Sequence, residues 1–303
     1  MLFKSANTTL NRPMGETEIS LLGSLPAVGC LIGNPIAGFI LDKLGRKRSS
    51  IFASMMFVIS WSIIAATTQV EVVLVAVFIG GLGSAVFLIS TVFISEICED
   101  SIRGTLTAAP IQFYCIGFLL SYLMGGYLDY YGMVYACLSM AVAGVLVVAV
   151  IRESPISLMS KGSEEEAVKS IAFYRRQAST SKEVLNEMDK IRRILRLDYD
   201  RDIQPLTEET ETSVEPEFAA KNLSRWQFFK NSTSTQRELL VVVVLKTALV
   251  LQGLPVVQVY ATPLFAQAVS SGVMAASDCS ILLGVVALFS GFIGSFFTDA
   301  VGR

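Results

Sequence analysis

Histidine is absent from the 303-residue sequence, and its five cysteines stand singly, with no Cys-x-x-Cys pair. These absences exclude the usual zinc ligand sets, histidine-based catalysis and a disulfide framework. No nucleophile, base and orienting group recur at a recognisable spacing, so we expect neither an enzyme nor a metal or cofactor. The net charge of −2 leaves no basic footprint for nucleic acid, which we exclude as a partner.

Charged residues are also scarce, at 17% of the chain, whereas a soluble domain carries about 25%. Hydrophobic residues reach 52% and the mean hydropathy is +0.58, so a lipid bilayer is the expected surroundings. Apolar runs long enough for membrane-spanning helices of about 20 residues occur seven times. They lie at residues 19–41, 51–67, 72–95, 105–125, 130–151, 239–265 and 279–298.

The loops between these runs alternate in positive charge. Lys and Arg follow the first, third, fifth and seventh runs and are missing from the other loops. Because positive loops stay in the cytoplasm, the N-terminus is expected outside a multi-pass plasma-membrane protein. The first 18 residues hold no apolar signal segment, and Asn7 begins a glycosylation sequon. We therefore interpret residues 1–18 as an extracellular loop from which a preceding helix is missing.

A nine-residue pattern closes both the first and the last run. Gly38 to Arg46 and Ser295 to Arg303 share small-x-x-x-Asp-x-x-Gly-Arg. An Asp at the negative end of a helix is unfavourable alone, so Asp42 and Asp299 need partners. Gly45 permits a tight turn that returns Arg46 to the membrane. The pattern predicts a gating and packing role; an ordinary basic loop end is the alternative.

Six crossings separate the two copies, which makes the first and seventh runs equivalent members of two parallel six-helix repeats. Such repeats are the plan of the major facilitator superfamily. In that plan the chain is an all-α membrane protein, truncated to helices 2–8 of twelve. Residues 19–151 form an N-terminal bundle, 152–238 a cytoplasmic linker with amphipathic helices, and 239–303 the start of a C-terminal bundle.

Three stretches resemble the sugar-porter branch of this superfamily, in particular arthropod facilitated trehalose and glucose transporters. Residues 18–32 (EISLLGSLPAVGCLI) resemble the second helix, residues 78–104 the fourth helix and its loop, and Glu153-Ser154-Pro155 the signature after helix 6. Residues 249–255 depart from the family, since LVLQGLP stands where QQLSGIN is usual. The resemblance implies facilitative transport of trehalose or a hexose by alternating access.

A sugar site needs buried amides and hydroxyls flanked by aromatic faces. Gln112 matches the family's sugar-binding Gln on helix 5, and Tyr260 its gating tyrosine. Gln252 and Gln258 are further candidates for substrate binding, and they can share a cavity only where Pro255 interrupts the helix. Hydrogen bonding between helices is the alternative for each lone amide.

The resemblance also implies ion pairs at the inner face that hold the outward-open state. The expected members are Asp42, Arg46, Glu96, Arg103, Glu153, Asp299 and Arg303. No carboxylate lies in the middle of any apolar run, which favours passive facilitation over proton coupling.

Two capping-box patterns predict short helices in the linker, at Ser163-x-x-Glu166 and Thr180-x-x-Glu183. The second precedes an apolar stripe of Val184, Met188, Ile191 and Leu195, typical of an amphipathic helix that docks on the inner mouth. The alternative is a flexible tether. Residues 200–217 are acidic, and we expect disorder there.

Two other readings stay open at this point. A bare count of seven crossings with an external N-terminus is also typical of a seven-helix receptor. A truncated or sensor-like sugar-porter relative that does not transport is the second alternative. In that case a missing segment or a partner chain would complete the helical bundle.

Overall fold

The computed structural model describes residues 10–98, 102–203, 233–268 and 275–301. Every regular element in these ranges is an α-helix. The first six are α1 (Glu16–Leu44), α2 (Arg46–Ala66), α3 (Val70–Gly83), α4 (Val86–Ile97), α5 (Arg103–Tyr127) and α6 (Tyr130–Val150). Three shorter or amphipathic helices follow, α7 (Pro155–Ser160), α8 (Glu164–Arg175) and α9 (Lys182–Ile203). The last three are α10 (Thr233–Leu251), α11 (Leu254–Ala268) and α12 (Ala276–Val301).

Six segments of the described chain are long and apolar enough to cross a membrane. They are α1, α2, the α3–α4 pair, the larger part of α5, α6 and most of α12. These correspond to the first five and the last of the seven runs predicted from the sequence. The prediction of an all-α, multi-pass membrane protein is therefore confirmed.

The remaining predicted crossing, residues 239–265, is broken in two. Helix α10 ends at Leu251 and α11 begins at Leu254, with Gly253 between them at a φ of +73°. This left-handed conformation is open to glycine at no steric cost. A second irregularity falls at Tyr260, where φ is −106° and ψ 18°. It lies three residues before Pro263, which has no N–H to donate to the Val259 carbonyl. The predicted break is confirmed.

Glycines allow α1 and α3 to touch at the backbone. A Cβ added to Gly29 would lie 2.5 Å from the Phe78 carbonyl oxygen, and one on Gly33 2.7 Å from that of Leu82. Gly81 approaches Pro26 of α1 in the same way. Such close approach replaces the hydrophobic driving force that is missing between helices in lipid.

Helices α7, α8 and α9 form a small unit around their own apolar core. Val184, Met188 and Ile191 are buried there and Leu195 packs at its edge, so the predicted stripe is confirmed. The capping predictions were wrong in detail. The Ser163 side chain forms no cap hydrogen bond, and Ser181, not Thr180, accepts the bond from the Val184 N–H. In the acidic segment, residues 200–217, the part from residue 204 onward lies outside the described residues.

Replacing Gly29 by Ala should destabilise the protein because its new methyl group would enter the space held by the Phe78 carbonyl. Overpacking of this kind costs about 1–3 kcal/mol. Gly144→Ala is the matched control, since a Cβ at this helical glycine of α6 meets no neighbouring atom within 4 Å. Thermal unfolding of the detergent-purified variants measures the difference. Equal unfolding temperatures for the two variants would contradict a close contact.

Candidate functional site

A single residue, Gly45, connects α1 to α2 at one end of the bundle. We call this end, where α1 stops, α2 starts and α6 leads into α7, the basic end. Gly45 has a φ of +94°, and an added Cβ would lie 2.7 Å from a carboxylate oxygen of Glu153. Both the backbone conformation and the space therefore require glycine here, as the predicted tight turn implies.

The carboxylate of Glu153 caps the N-terminus of α2. Its Oε1 accepts hydrogen bonds from the backbone N–H groups of Arg46 at 2.7 Å and Lys47 at 3.0 Å, and from that of Ser154 at 3.1 Å. Helix α2 opens with three basic residues, which the positive end of a helix dipole disfavours. A carboxylate at this position offsets their charge. Glu153 is expected in an ion pair with a side chain; among the described residues, its carboxylate binds a helix end.

Arg46 and Glu96 form an ion pair beside this cap. The Arg46 guanidinium donates from Nε at 2.8 Å and from Nη2 at 2.6 Å to Glu96 Oε1. The side chains are only 17% and 11% exposed. The Ser154 hydroxyl donates to the other Glu96 oxygen. One carboxylate thus links α2, α4 and the segment that leads into α7.

Helix α8 fastens the small unit to this cluster. Ser170 donates from its hydroxyl to the Glu153 carbonyl at 2.6 Å, and Tyr174 donates to the Arg152 carbonyl at 2.6 Å. Burial raises the pKa of Tyr174 to about 12, so its hydroxyl remains a donor at physiological pH. Arg175 pairs with Glu187 and also reaches the Ile97 carbonyl at the end of α4.

Of the other residues in the predicted ion-pair set, the structure describes the side chain of Asp42 alone. Asp42 is exposed and forms no ion pair with any residue that the structure describes. Arg103 begins α5 and Asp299 lies near the end of α12, but both side chains fall outside the described part of the chain. Arg303 and Asn7 lie outside the described residues altogether.

A second cluster lies between α5 and α11 and centres on Gln258. Tyr114 donates a hydrogen bond to the Gln258 side-chain oxygen at 3.3 Å, and Tyr122 donates to the Gln258 backbone carbonyl at 2.7 Å. Phe118 lies between the two tyrosines, with ring centroids 6.2 Å from Tyr114 and 4.6 Å from Tyr122. The three rings form one aromatic row along α5, with an amide at its side.

Gln112 lies on a different face of α5. Its amide packs against Gly291 of α12, where an added Cβ would be 2.9 Å from the Gln112 oxygen. That oxygen is buried and has no hydrogen-bond partner among the described residues. Gln112 and Tyr114 are two positions apart, or about 200° around a helix, so Gln112 does not join the aromatic row.

The other two candidates lie along the broken crossing. Gln252 is exposed at the end of α10, immediately before the Gly253 break. The Tyr260 hydroxyl lies 2.8 Å from the position of a Cβ on Gly23 of α1. Since Gly23 is 21 residues before the end of α1, Tyr260 contacts the bundle far from the basic end.

Reasoning from the sequence missed the tyrosines of α5 and the hydroxyls of the basic end. Tyr114, Phe118 and Tyr122 recur at intervals of four, which places them on one helix face and could have revealed the row. Ser154 and Ser170 left no such signal, because single serines at a helix N-cap or inside a short helix are common. Within the described ranges, no group of three or more His, Cys, Asp and Glu could hold a metal ion.

Comparison with protein families matches this chain over residues 3–303 to the family described as "Sugar (and other) transporter". The chain belongs to the sugar-transporter family. The resemblance to sugar porters of the major facilitator superfamily is thereby confirmed.

The relatives of this sugar-transporter chain include several facilitated trehalose transporters. The one from Aedes aegypti is 26% identical over 282 residues, which cover 93% of this chain and 32% of that protein. The one from Bombyx mori is 27% identical over 299 residues, which cover 98% of this chain and 54% of that protein. The chain thus spans about a third to half of the length of these relatives.

Solved structures with the same fold include the proton:xylose symporter XylE bound to 6-bromo-6-deoxy-D-glucose. It aligns with a TM-score of 0.70 at 21% identity, covering all of this chain and 63% of that one. A partially occluded inward-open form of the xylose transporter XylE from E. coli aligns with a TM-score of 0.68 at 20% identity, covering 98% and 67%. These likenesses show that the helices adopt the sugar-transporter fold over nearly the whole chain.

The Arg46 and Glu96 side chains should be strongly coupled to each other because both are largely buried. In a double-mutant cycle of Arg46→Gln and Glu96→Gln, we expect a coupling free energy of about 1–3 kcal/mol. The exposed pair Arg192–Glu164, at 45% and 55% exposure, is the matched control and should couple by about 1 kcal/mol or less. Chemical unfolding in detergent measures both cycles. Equal coupling in the two pairs would contradict the buried interaction.

Proposed function

We propose that this chain carries out facilitative transport of a small sugar across the plasma membrane. The observation that carries the proposal is the cluster between α5 and α11. Gln258 is held there by Tyr114 and Tyr122, with the Phe118 ring between them. An amide supplies both a donor and an acceptor for sugar hydroxyls, and aromatic faces pack on the apolar faces of a sugar ring. The trehalose transporters among its relatives support trehalose as the substrate, and a hexose is the alternative.

The mechanism that we propose is alternating access between two helical bundles. At the far end from Gly45, Tyr260 of α11 contacts α1, so this side chain can close that mouth. At the basic end, Arg46, Glu96 and Glu153 join α2, α4 and the α7–α9 unit. The Gly253 break separates α11 from α10, which allows α11 to move on its own. Movement at the two ends would then expose the Gln258 cluster to one side of the membrane and afterwards to the other.

Passive transport fits the distribution of carboxylates. In the described spanning helices, Asp and Glu occupy terminal turns, so no acid lies at mid-membrane to relay a proton. The basic end carries Lys43, Arg46, Lys47 and Arg48, and we propose that it faces the cytoplasm.

A non-transporting relative is the second candidate. It is favoured by residues 249–255, where LVLQGLP stands in place of the amide-rich segment usual in the family. Uptake into proteoliposomes distinguishes the two candidates. Radiolabelled trehalose and glucose should enter vesicles that contain the protein faster than empty vesicles. Uptake equal to that of empty vesicles would favour the non-transporting candidate.

Replacing Gln258 by Ala should reduce sugar uptake about tenfold, because a hydrogen-bonding group worth about 1.4 kcal/mol is lost from the site. Gln69→Ala is the matched control, since Gln69 is an exposed residue outside the helices, just before α3. Initial rates of uptake at several sugar concentrations measure the change. A reduction of equal size in both variants would contradict a role for Gln258 in binding.

Asp42→Asn should slow transport without weakening sugar binding. Asp42 is unpaired in the arrangement described, and we propose that it gains a basic partner when the bundles move. Uptake rate and sugar affinity are measured separately, with Asp189→Asn as a control at an exposed carboxylate of α9. Transport at the unaltered rate in Asp42→Asn, or equal slowing in the control, would contradict a gating role.

A further inference from the structure

A polar cleft of about 760 Å³ opens at the basic end, between the start of α2 and the α7–α8 hairpin. We call it the basic cleft. Five cationic side chains line it, namely Lys47, Arg48, Arg152, Lys161 and Lys169. Two carboxylates, of Glu153 and Glu166, also line it. Cations therefore outnumber acids, in a cavity large enough for a substituted phosphate.

Neither carboxylate forms an ion pair with one of these cations in the part of the chain that the structure describes. Glu153 directs its Oε1 to three backbone N–H groups and acts as the cap of α2. Glu166 lies in the first turn of α8, where the helix dipole favours a negative charge. None of the five cations forms an ion pair with a residue in the described part of the chain. Their charge is thus available to a ligand.

Arg152 is positioned at the edge of the cleft. Its guanidinium lies over the Phe173 ring, 5.3 Å from the centroid, and its carbonyl accepts the Tyr174 hydroxyl. A stacked guanidinium keeps its in-plane N–H donors free, and their fork geometry matches phosphate oxygens. Lys161 and Lys169 add exposed ammonium groups that bind phosphate as point charges.

The cleft also adjoins the apolar surface of the bundle. Leu44, the last residue of α1, and Ile51 of α2 belong to its lining, and Leu44 is 43% exposed. Helices α1 and α2 are spanning segments, and α6 ends two residues before Arg152. A ligand here would meet lipid-facing apolar groups on one side and cations on the other. This arrangement fits an amphiphile with an anionic head.

We propose that the basic cleft binds a multiply charged, phosphate-bearing anion, whose source is the headgroup of an anionic lipid in the adjacent leaflet. Basic pockets beside membrane helices are suited to such headgroups. The bound phosphate would bridge α2 to α8, next to the contact that Glu153 already makes. The inference goes beyond the proposed function, because binding of a headgroup requires no transport of sugar.

The test is a binding titration of the purified full chain, followed by its intrinsic fluorescence and by its unfolding temperature. One arm uses nanodiscs of phosphatidylcholine with phosphatidylinositol bisphosphate, and a second uses phosphatidylcholine alone. A third arm adds soluble inositol trisphosphate to protein in phosphatidylcholine nanodiscs. We expect saturable binding and a raised unfolding temperature in the first arm, with affinity that falls as salt is added.

Two variants locate the binding. Lys161→Gln with Lys169→Gln removes two cations from the cleft, and we expect affinity to fall on the order of tenfold. Lys182→Gln with Lys190→Gln removes the same charge from exposed positions of α9 outside the cleft and should leave affinity unchanged. Arg48→Gln is a second cleft variant, with a smaller expected loss, in case the double variant does not fold.

The results distinguish a lipid headgroup from a soluble phosphate and also test the proposal as a whole. Binding in the first arm alone supports the lipid headgroup. Equal binding of the soluble phosphate retains the phosphate chemistry of the cleft but overturns the lipid source. Binding no stronger than to phosphatidylcholine alone overturns the whole proposal. A loss of affinity in the α9 control that equals the loss in the cleft variants also overturns it, because general surface charge would then explain the attraction.

Discussion

The carboxylate of Glu153 on the first turn of α2 is the interaction on which the basic end depends. It allows a helix to begin with three consecutive cations at the positive end of its own dipole. This early start makes the connection from α1 a single glycine, and Gly45 leaves the carboxylate the room it needs. The chain segment around Glu153 also holds α8 through Ser170. Removing the carboxylate contact would therefore affect α1 and α2 together, while the Ser170 bond to the Glu153 backbone carbonyl would remain.

The crossing at α10–α11 is interrupted, whereas the start of α2 at the basic end is a capped, regular helix. In lipid, an unpaired backbone group is costly, so an interrupted helix persists only where protein or a cavity surrounds it. Helix α11 meets this condition through side chains of other helices. Tyr122 satisfies the Gln258 carbonyl directly, and Thr262 lies 3.0 Å from Ser280 of α12. The fold thus combines a capped helix end with a segment held by side-chain hydrogen bonds.

The sequence predicted the crossings, the broken helix and the amphipathic stripe of α9, because each rests on periodicity or on glycine and proline. The residues or backbone groups that each polar side chain contacts were harder to predict. Glu153 looked like a member of an ion pair, since its charge is visible in the sequence but the backbone N–H groups that it binds are not. Gln112 was grouped with Gln258, although a separation of two positions from Tyr114 turns it toward α12. Which amide meets which ring depends on packing between distant helices, and no local pattern encodes it.

The first turn of α2 divides its three cations between two tasks. Successive residues of a helix point about 100° apart, so the three side chains of this turn leave the helix in different directions. Arg46 turns inward to Glu96, whereas Lys47 and Arg48 line the basic cleft. The Glu153 cap engages only the backbone of this turn, and it therefore offsets the dipole without occupying the side chains. A capping group that paired with these side chains instead would leave fewer unpaired cations in the cleft. The same carboxylate that fixes the helix start thus leaves the side chains of Lys47 and Arg48 free of an ion pair with it.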